Sequence, residues 1–180
     1  MPRYIAFLRA INVGGHNVKM DRLRQLFESL GFAKVETFIA SGNVVFDTPS
    51  KNSQSLERKI ELTLQEALGY EVVTFIRTDA ELEQIANYRA FPKELQDQAI
   101  ALNVAFLTEP LDAKSKQLAL GFKTEIDEFH VHGREVYWLC RKRQSESTFS
   151  NVLFEKTLGK RTTIRGAKTL KKMTEKLKKA

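Results

Sequence analysis

Four Leu-Gly pairs recur along this chain at a spacing that constrains its fold more than any other feature. They are Leu30-Gly31, Leu68-Gly69, Leu120-Gly121 and Leu158-Gly159. Glycine directly after an apolar helical pattern typically ends the helix, because it adopts the left-handed backbone conformation without a steric penalty. Within each half the two glycines are 38 residues apart, and the second pair follows the first after 90 residues. The spacing therefore predicts a unit of roughly 75–80 residues that occurs twice.

The segments between these glycines predict the same order of elements in each half. Apolar runs indicate strands at residues 4–11, 35–40, 44–47 and 72–76, and again at 100–107, 125–131, 134–140 and 162–165. Helical patterns precede each of the four glycines. The resulting order, β-α-β-β-α-β, is that of the ferredoxin-like unit, in which the sheet order is 4-1-3-2 and all neighbours are antiparallel. We therefore predict an α+β fold of two tandem ferredoxin-like units.

A linker and a C-terminal extension complete the predicted organisation. Thr78 and Glu81 have the spacing of a capping box ahead of a short linking helix, and Pro92 ends this linker. The predicted boundaries are residues 1–77 for the first unit, 78–98 for the linker, and 99–180 for the second unit with an added basic helix.

The C-terminal segment carries the basic character of the chain. Residues 141–180 contain 13 Lys and Arg against 3 Glu, a net charge of +10, whereas residues 1–140 contain 16 against 19, a net charge of −3. Such asymmetry is typical of proteins that contact polyanions. The apolar stripe Leu170, Met173 and Leu177 is too short for firm membrane anchoring, so we expect no membrane partner. A packed helix with a solvated lysine face is the competing interpretation.

Other features exclude several classes of protein. No apolar run approaches the roughly 20 residues of a membrane span, and the N-terminus lacks the pattern of a signal peptide. The single cysteine, Cys140, rules out an intrachain disulfide. His130 and His132 are too few to bind zinc, which needs three or four convergent ligands. We expect a cytoplasmic protein that uses no metal and no cofactor.

The same two histidines belong to a predicted hairpin with a two-residue turn at His132-Gly133. This turn fixes which residues lie opposite each other. The predicted pairs are His130 with Glu135, Phe129 with Val136, and Cys140 with the region of Glu125. Phe129, Val136 and Trp138 then share the core face, and Cys140 continues it as a buried, inert thiol.

Candidate binding residues come from two loops that the predicted topology brings to one edge of the first sheet. One is Arg9-Ala-Ile-Asn-Val-Gly-Gly-His-Asn-Val-Lys19, between the first strand and its helix, and the other is Ser41-Gly42-Asn43. Adjacent glycines let backbone N–H groups turn inward, and the start of a helix adds partial positive charge. The candidate ligand-binding residues are Arg9, Asn12, Gly14, Gly15, Asn17, Lys19, Ser41 and Asn43. Together they predict a cradle for a phosphate or carboxylate.

A purely structural interpretation of these loops is also open. Gly14 and Gly15 would make a tight turn, Asn17 would cap the helix, and Ser41-Gly42-Asn43 would close a hairpin. The corresponding loop of the second half, residues 108–112, has no glycine and no basic residue. Since this topology can be built without them, the difference between the halves favours a function in the first.

The run from Arg9 to Asn17 occurs together with Ser41-Gly42-Asn43-Val44-Val45-Phe46, and this combination resembles a bacterial family known as domain of unknown function 1697. The resemblance covers nearly the whole chain. It implies two ferredoxin-like units and no assigned activity. The chain departs from the family pattern near its end. Gly166-Ala167 follows Arg165 where many members have Asn-Trp, and Ser147-Thr148 stands where a Ser-Lys pair is common.

Two functions of different classes follow from these features. The first is binding of a small anionic or phosphorylated ligand at the first strand-to-helix loop, with turnover left open. The alternative is binding of nucleic acid, specifically RNA, without sequence specificity through the basic C-terminal region, because the RNA-recognition fold has the same element order. The third predicted strand lacks the paired aromatic residues that stack bases in that fold, so RNA ranks second. Exposed sheet edges leave a homodimer as a further interpretation.

Overall fold

The computed structural model describes residues 1–12, 15–38 and 42–179 as a mixed α+β protein. The chain divides into two compact units, each built around a four-stranded antiparallel sheet. Unit 1 comprises Met1–Glu83 and Lys176–Ala180, and unit 2 comprises Gln84–Glu175.

Unit 1 places its most apolar strand at the centre of the sheet. Its strands are β1 (Arg3–Leu8), β2 (Ala33–Thr37), β3 (Asn43–Asp47) and β4 (Thr74–Thr78), in the order β2-β3-β1-β4, and its helices are α1 (Met20–Glu28) and α2 (Ser53–Leu68). Tyr4, Ala6 and Leu8 of β1 are buried against apolar residues of both helices. This strand order and the antiparallel pairing are the ones that the sequence predicts.

Unit 2 repeats this arrangement after two short helices, α3 (Asp79–Asn87) and α4 (Lys93–Asp97). Its elements are β5 (Ala101–Phe106), α5 (Ala113–Leu120), β6 (Asp127–His132), β7 (Glu135–Cys140), α6 (Asn151–Leu158), β8 (Thr163–Gly166) and α7 (Ala167–Lys179). The strand order is β6-β7-β5-β8. Ala105 of β5 packs with Ala119 of α5 and Phe154 of α6 in a core cluster on one face of the sheet.

Three of the four repeating glycines adopt the expected left-handed conformation. The φ angles of Gly31, Gly69 and Gly159 are +85°, +86° and +66°. Gly121 differs, since its φ of −67° is helical and its N–H still donates to the Gln117 carbonyl. The prediction is wrong there because the backbone continues in a tight turn, with Phe122 N donating to Ala119 O.

The linking segment confirms the capping box and adds a helix. Thr78 N donates to Glu81 Oε2 at 2.8 Å, and Glu81 N donates to Thr78 Oγ1 at 3.1 Å. Pro92 does not end the helical structure of the linker, because it stands at the N-cap of α4. The sequence pattern missed α4 because none of its five residues is buried, so it carries no apolar periodicity.

The hairpin of unit 2 differs from the prediction by two residues of register. His132 lies opposite Glu135, so the turn is formed by Gly133 and Arg134. Gly133 has a φ of +58°, which favours glycine as the first turn residue. The corrected pairs are Phe129 with Trp138, His130 with Tyr137, and Cys140 with Asp127. A shift of two residues preserves the faces, so Phe129, Val136, Trp138 and Cys140 still lie in the core.

Cys140 is fully buried, as the sequence predicts. Burial raises the pKa of its thiol, which keeps the sulfur in the protonated and weakly reactive form. Across the described residues, none of the helices is both long and apolar enough to cross a membrane.

Candidate functional site

The end of β1 brings the two candidate loops to one edge of the first sheet. Phe7 pairs with Asn43 of β3, and Leu8 N donates to Gly42 O at 2.8 Å. One residue further on, Arg9 N donates to Val73 O at 2.9 Å. These two hydrogen bonds place the backbone at Arg9 between the turn before β3 and the segment before β4. Arg9 itself is partly buried.

Asn12 braces the loop between β1 and α1 from within. Its side-chain oxygen accepts a hydrogen bond at 2.7 Å from Val18 N, six positions further along the chain, and this bond closes the loop. Within this loop Gly15 is exposed, has a φ of +84°, and has open space where a side chain would stand. Asn12 thus shapes the loop, and the backbone at Gly15 is exposed on it.

Tyr70 contacts the same loop through its hydroxyl and its ring. The sequence analysis did not identify this residue. Its hydroxyl donates to Ile11 O at 2.7 Å, and its ring stacks on His16 with centroids 3.8 Å apart. Burial raises the pKa of this phenol, so the donor stays protonated. Tyr70 follows Gly69 outside any periodic pattern, which is why no sequence signal marks it.

The start of α1 differs from the expected cap. Lys19 is the N-cap residue and its side chain forms no capping hydrogen bond, so the predicted cap at Asn17 is wrong. Asn17 stands two residues too early to reach the first amides of a helix that begins at Met20. Asn17 and Lys19 are both exposed.

The equivalent position in unit 2 carries the opposite charge. Asp112 is the N-cap of α5, and its Oδ1 accepts a hydrogen bond from Ser115 N at 2.7 Å. This backbone hydrogen bond is the main reason that the pKa of Asp112 is lowered. A carboxylate therefore caps the helix start in unit 2, whereas the N-cap residue of unit 1 is a lysine whose side chain forms no capping hydrogen bond.

Asn43 is buried and serves the turn before β3. Its side-chain Nδ2 donates to Phe38 O at 3.1 Å, and its backbone carbonyl accepts from Phe38 N at 2.9 Å. Two of the predicted site residues, Gly14 and Ser41, lie outside the described residues. Of the rest, Arg9, Gly15, Asn17 and Lys19 belong to the segment between β1 and α1, while the amides of Asn12 and Asn43 bind backbone groups.

Comparison with known proteins places this chain in a family. Residues 1–137 match the family described as "Protein of unknown function (DUF1697)". The chain belongs to this family. The matched region includes all of the candidate loop and ends within β7, before α6, β8 and α7.

A solved structure supports the fold over almost the full length. The chain is similar to the conserved bacterial protein SP0830 from Streptococcus pneumoniae, with 26% sequence identity and a TM-score of 0.75. The alignment covers 99% of each chain. Among curated proteins no match was found.

The basic end of α7 is partly neutralised within unit 1. Lys176 pairs with Glu36 at 3.5 Å and lies 5.0 Å from the centre of the Phe38 ring. Lys178 pairs with Glu83 at 2.8 Å. Leu170 and Met173, further back on the same helix, are buried, as a packed terminal helix requires.

His130, in unit 2, belongs to a ring cluster on the sheet face away from the core cluster. The Tyr88 hydroxyl lies 2.8 Å from His130 Nε2, which accepts this hydrogen bond when the imidazole is neutral with its proton on Nδ1. The Tyr88 ring also stacks on His132, with centroids 3.9 Å apart. Burial, with a smaller contribution from His132, lowers the pKa of His130.

We expect the stability of the protein to depend on His130 at mildly acidic pH. Because folding lowers the pKa of His130, the unfolded chain binds more protons below about pH 6.5, and stability falls as the pH falls. Urea unfolding at about pH 7.5 and about pH 5.5 should show a smaller acid-induced loss in His130→Gln than in the native protein. An equal loss in the two proteins would contradict this role, since the carboxylates titrate in both.

Proposed function

We propose that the two units are tandem ferredoxin-like units that arose by internal duplication. The same element order and strand order in both units support this. Arg77 of β4 pairs with Ile5 of β1, and Arg165 of β8 pairs with Val104 of β5, so the two arginines are equivalent. Each donates through Nη1 to the carbonyl of the isoleucine before it, at 2.9 and 3.0 Å.

We propose that the protein binds a small anionic ligand, such as a phosphorylated metabolite, at the loop between β1 and α1. The observation that carries this proposal is the exchange of Asp112 for Lys19 at equivalent helix starts. In unit 2 the first amides of α5 bind a carboxylate of the chain itself. In unit 1 the N-cap residue is Lys19, whose side chain cannot accept a hydrogen bond from the first amides of α1. An anion from solution would then accept these hydrogen bonds.

Three residues along this loop would contact such an anion in different ways. The guanidinium of Arg9 supplies planar, bidentate donors, and the ammonium of Lys19 adds a second positive charge. The backbone at Gly15 approaches the ligand closely because it has no side chain. Asp21, the one acidic residue in the first turn of α1, lies 3.6 Å from Arg24, which offsets its charge.

The test is the thermal stability of the protein with a panel of nucleoside and sugar phosphates and inorganic phosphate. A ligand present at about 100 times its Kd stabilises the native state by about 2.7 kcal/mol and raises the Tm by several degrees. We expect Arg9→Ala to weaken binding by about tenfold or more, since a charge-assisted hydrogen bond contributes about 1.5–3 kcal/mol.

Two further variants make this test specific. Arg58→Ala removes an exposed arginine on α2 and should leave the ligand response unchanged. Gly15→Val should lower stability by about 1–3 kcal/mol, because a β-branched residue is strained at a φ of +84°. An undiminished response in Arg9→Ala would overturn the anion-binding proposal and leave the loop as a structural turn.

Nucleic-acid binding through the C-terminal region stays a prediction with no specific observation in its favour. Lys176 and Lys178 already pair with carboxylates of unit 1, which reduces the charge available for phosphates. Anion binding at the first loop is therefore the function that we propose.

A further inference from the structure

Unit 2 contains a cleft of about 330 Å³ on the face of its sheet opposite α5 and α6. It lies among β5, β7, the segment of α3 and α4, and the first turn of α7, and every residue that lines it belongs to unit 2. Its volume is at the lower end of the range typical of small-molecule sites.

Three of the six exposed residues that line this cleft are cationic. Arg89, Lys93 and Lys171 line it together with a single carboxylate, Asp97, so the lining carries a net charge of +2. In the part of unit 2 that the structure describes, no carboxylate lies within ion-pair distance of Arg89, Lys93 or Lys171. Three positive charges against one carboxylate on the same concave surface create a local potential that attracts anions.

The buried residues of the same cleft are apolar or uncharged. Val104 and Leu170 are almost completely buried beneath it, as is Tyr137, whose hydroxyl donates to Ile85 O at 3.2 Å. The accessible apolar surface of the cleft comes from half-buried residues, among them Ala86, Ala90 and Leu102. Burial raises the pKa of Tyr137 well above its usual range, so this surface stays uncharged at any physiological pH. The cleft thus combines an apolar base with a cationic mouth, formed by Arg89, Lys93 and Lys171. This combination suits a ligand that has an apolar body and an anionic group.

We propose that this cleft binds a small organic anion with a compact apolar body, such as an aromatic phosphate or carboxylate. The apolar body packs against the half-buried side chains of Ala86, Ala90 and Leu102. The anionic group lies among Arg89, Lys93 and Lys171. Tight binding needs both groups of the ligand. An inorganic anion makes no contact with the apolar lining, and a neutral apolar molecule forms no charge-assisted hydrogen bond with the three cations.

This proposal is independent of the one for the loop between β1 and α1. The two sites share no residue and lie in different units. The ligand of the cleft is distinguished from a simple phosphate by its need for apolar contact.

The experiment is a titration of the ¹⁵N-labelled full chain with phenyl phosphate, followed by ¹H–¹⁵N correlation spectra. We expect saturable shifts confined to the amides of residues 85–97, β5, β7 and the start of α7. Inorganic phosphate and benzyl alcohol, which each carry one half of the ligand, should bind at least about tenfold more weakly. Equal affinity for either of them, or shifts centred on residues 9–19, would overturn the proposal.

Substitutions at the mouth test the cations directly. The double variant Arg89→Gln and Lys171→Gln should weaken phenyl phosphate binding by about tenfold or more and leave the spectrum otherwise native, since both side chains are exposed. Lys116→Gln removes an exposed lysine on α5, outside the cleft, and should leave the affinity unchanged. Equal affinity in the double variant and the native chain would overturn the assignment of the mouth.

Discussion

Replacement of Asp127 with alanine is expected to lower the free energy of unfolding by about 3–5 kcal/mol, because the change leaves buried donors without an acceptor. Asp127 is completely buried in β6. Its carboxylate accepts hydrogen bonds from Trp138 Nε1 at 2.8 Å, Thr124 Oγ1 at 2.7 Å and Ser147 Oγ at 2.9 Å. These bonds join β6, β7 and the segment before α6, so their loss removes contacts between three parts of unit 2.

Denaturation in guanidinium chloride, followed by the fluorescence of Trp138, measures this effect. Asp127→Asn is the matched control, because it keeps the oxygen that accepts from Trp138 and presents an amide to two hydroxyls that can rotate to accept. We expect Asp127→Asn to cost about 1 kcal/mol. If the asparagine variant were as unstable as the alanine variant, charge rather than hydrogen bonding would stabilise this cluster.

Phe46→Ala is expected to destabilise unit 1 by about 3–5 kcal/mol, the usual cost of removing a buried phenylalanine ring. Phe46 is completely buried at the centre of the aromatic part of this core. Its ring centroid is 4.4 Å from that of Phe32, 5.6 Å from that of Phe27 and 5.8 Å from that of Tyr4. Truncation leaves a cavity among three rings that other contacts hold in place, so the site collapses poorly.

Urea unfolding followed by far-UV circular dichroism tests this expectation. Phe46→Leu retains most of the apolar volume and should cost less than about 1.5 kcal/mol. A loss below about 1 kcal/mol in Phe46→Ala would mean that the core rearranges to fill the space.

The hairpin of unit 2 illustrates what apolar patterning can and cannot establish. Alternation assigned Phe129, Val136 and Trp138 to the core face, and they lie there. The pattern did not determine the register, because a shift of two residues leaves every side chain on the same face. The positive φ of Gly133 decides the turn, and this conformation depends on how the two strands meet.

The candidate loop shows the same division at a finer scale. Its place at the end of β1, beside the turn before β3, follows from the order of elements, which the sequence carries. The roles of Asn12 and Asn43 do not follow, because their amides bind backbone groups that only the folded loop brings within reach. Tyr70 lies 59 positions along the chain from Ile11, whose carbonyl accepts its hydrogen bond, so no local sequence pattern predicts this contact.

The sequence alone determined the repeated order of strands and helices, the central position of β1 and the core face of the unit 2 hairpin. These depend on short-range periodicity and on a few glycines, which act through the local backbone. Only the tertiary structure decided the register of the hairpin, the cap of α1 and the cleft in unit 2. Each of these requires groups distant in the chain to meet at hydrogen-bonding or van der Waals distance, and no local preference encodes such a meeting.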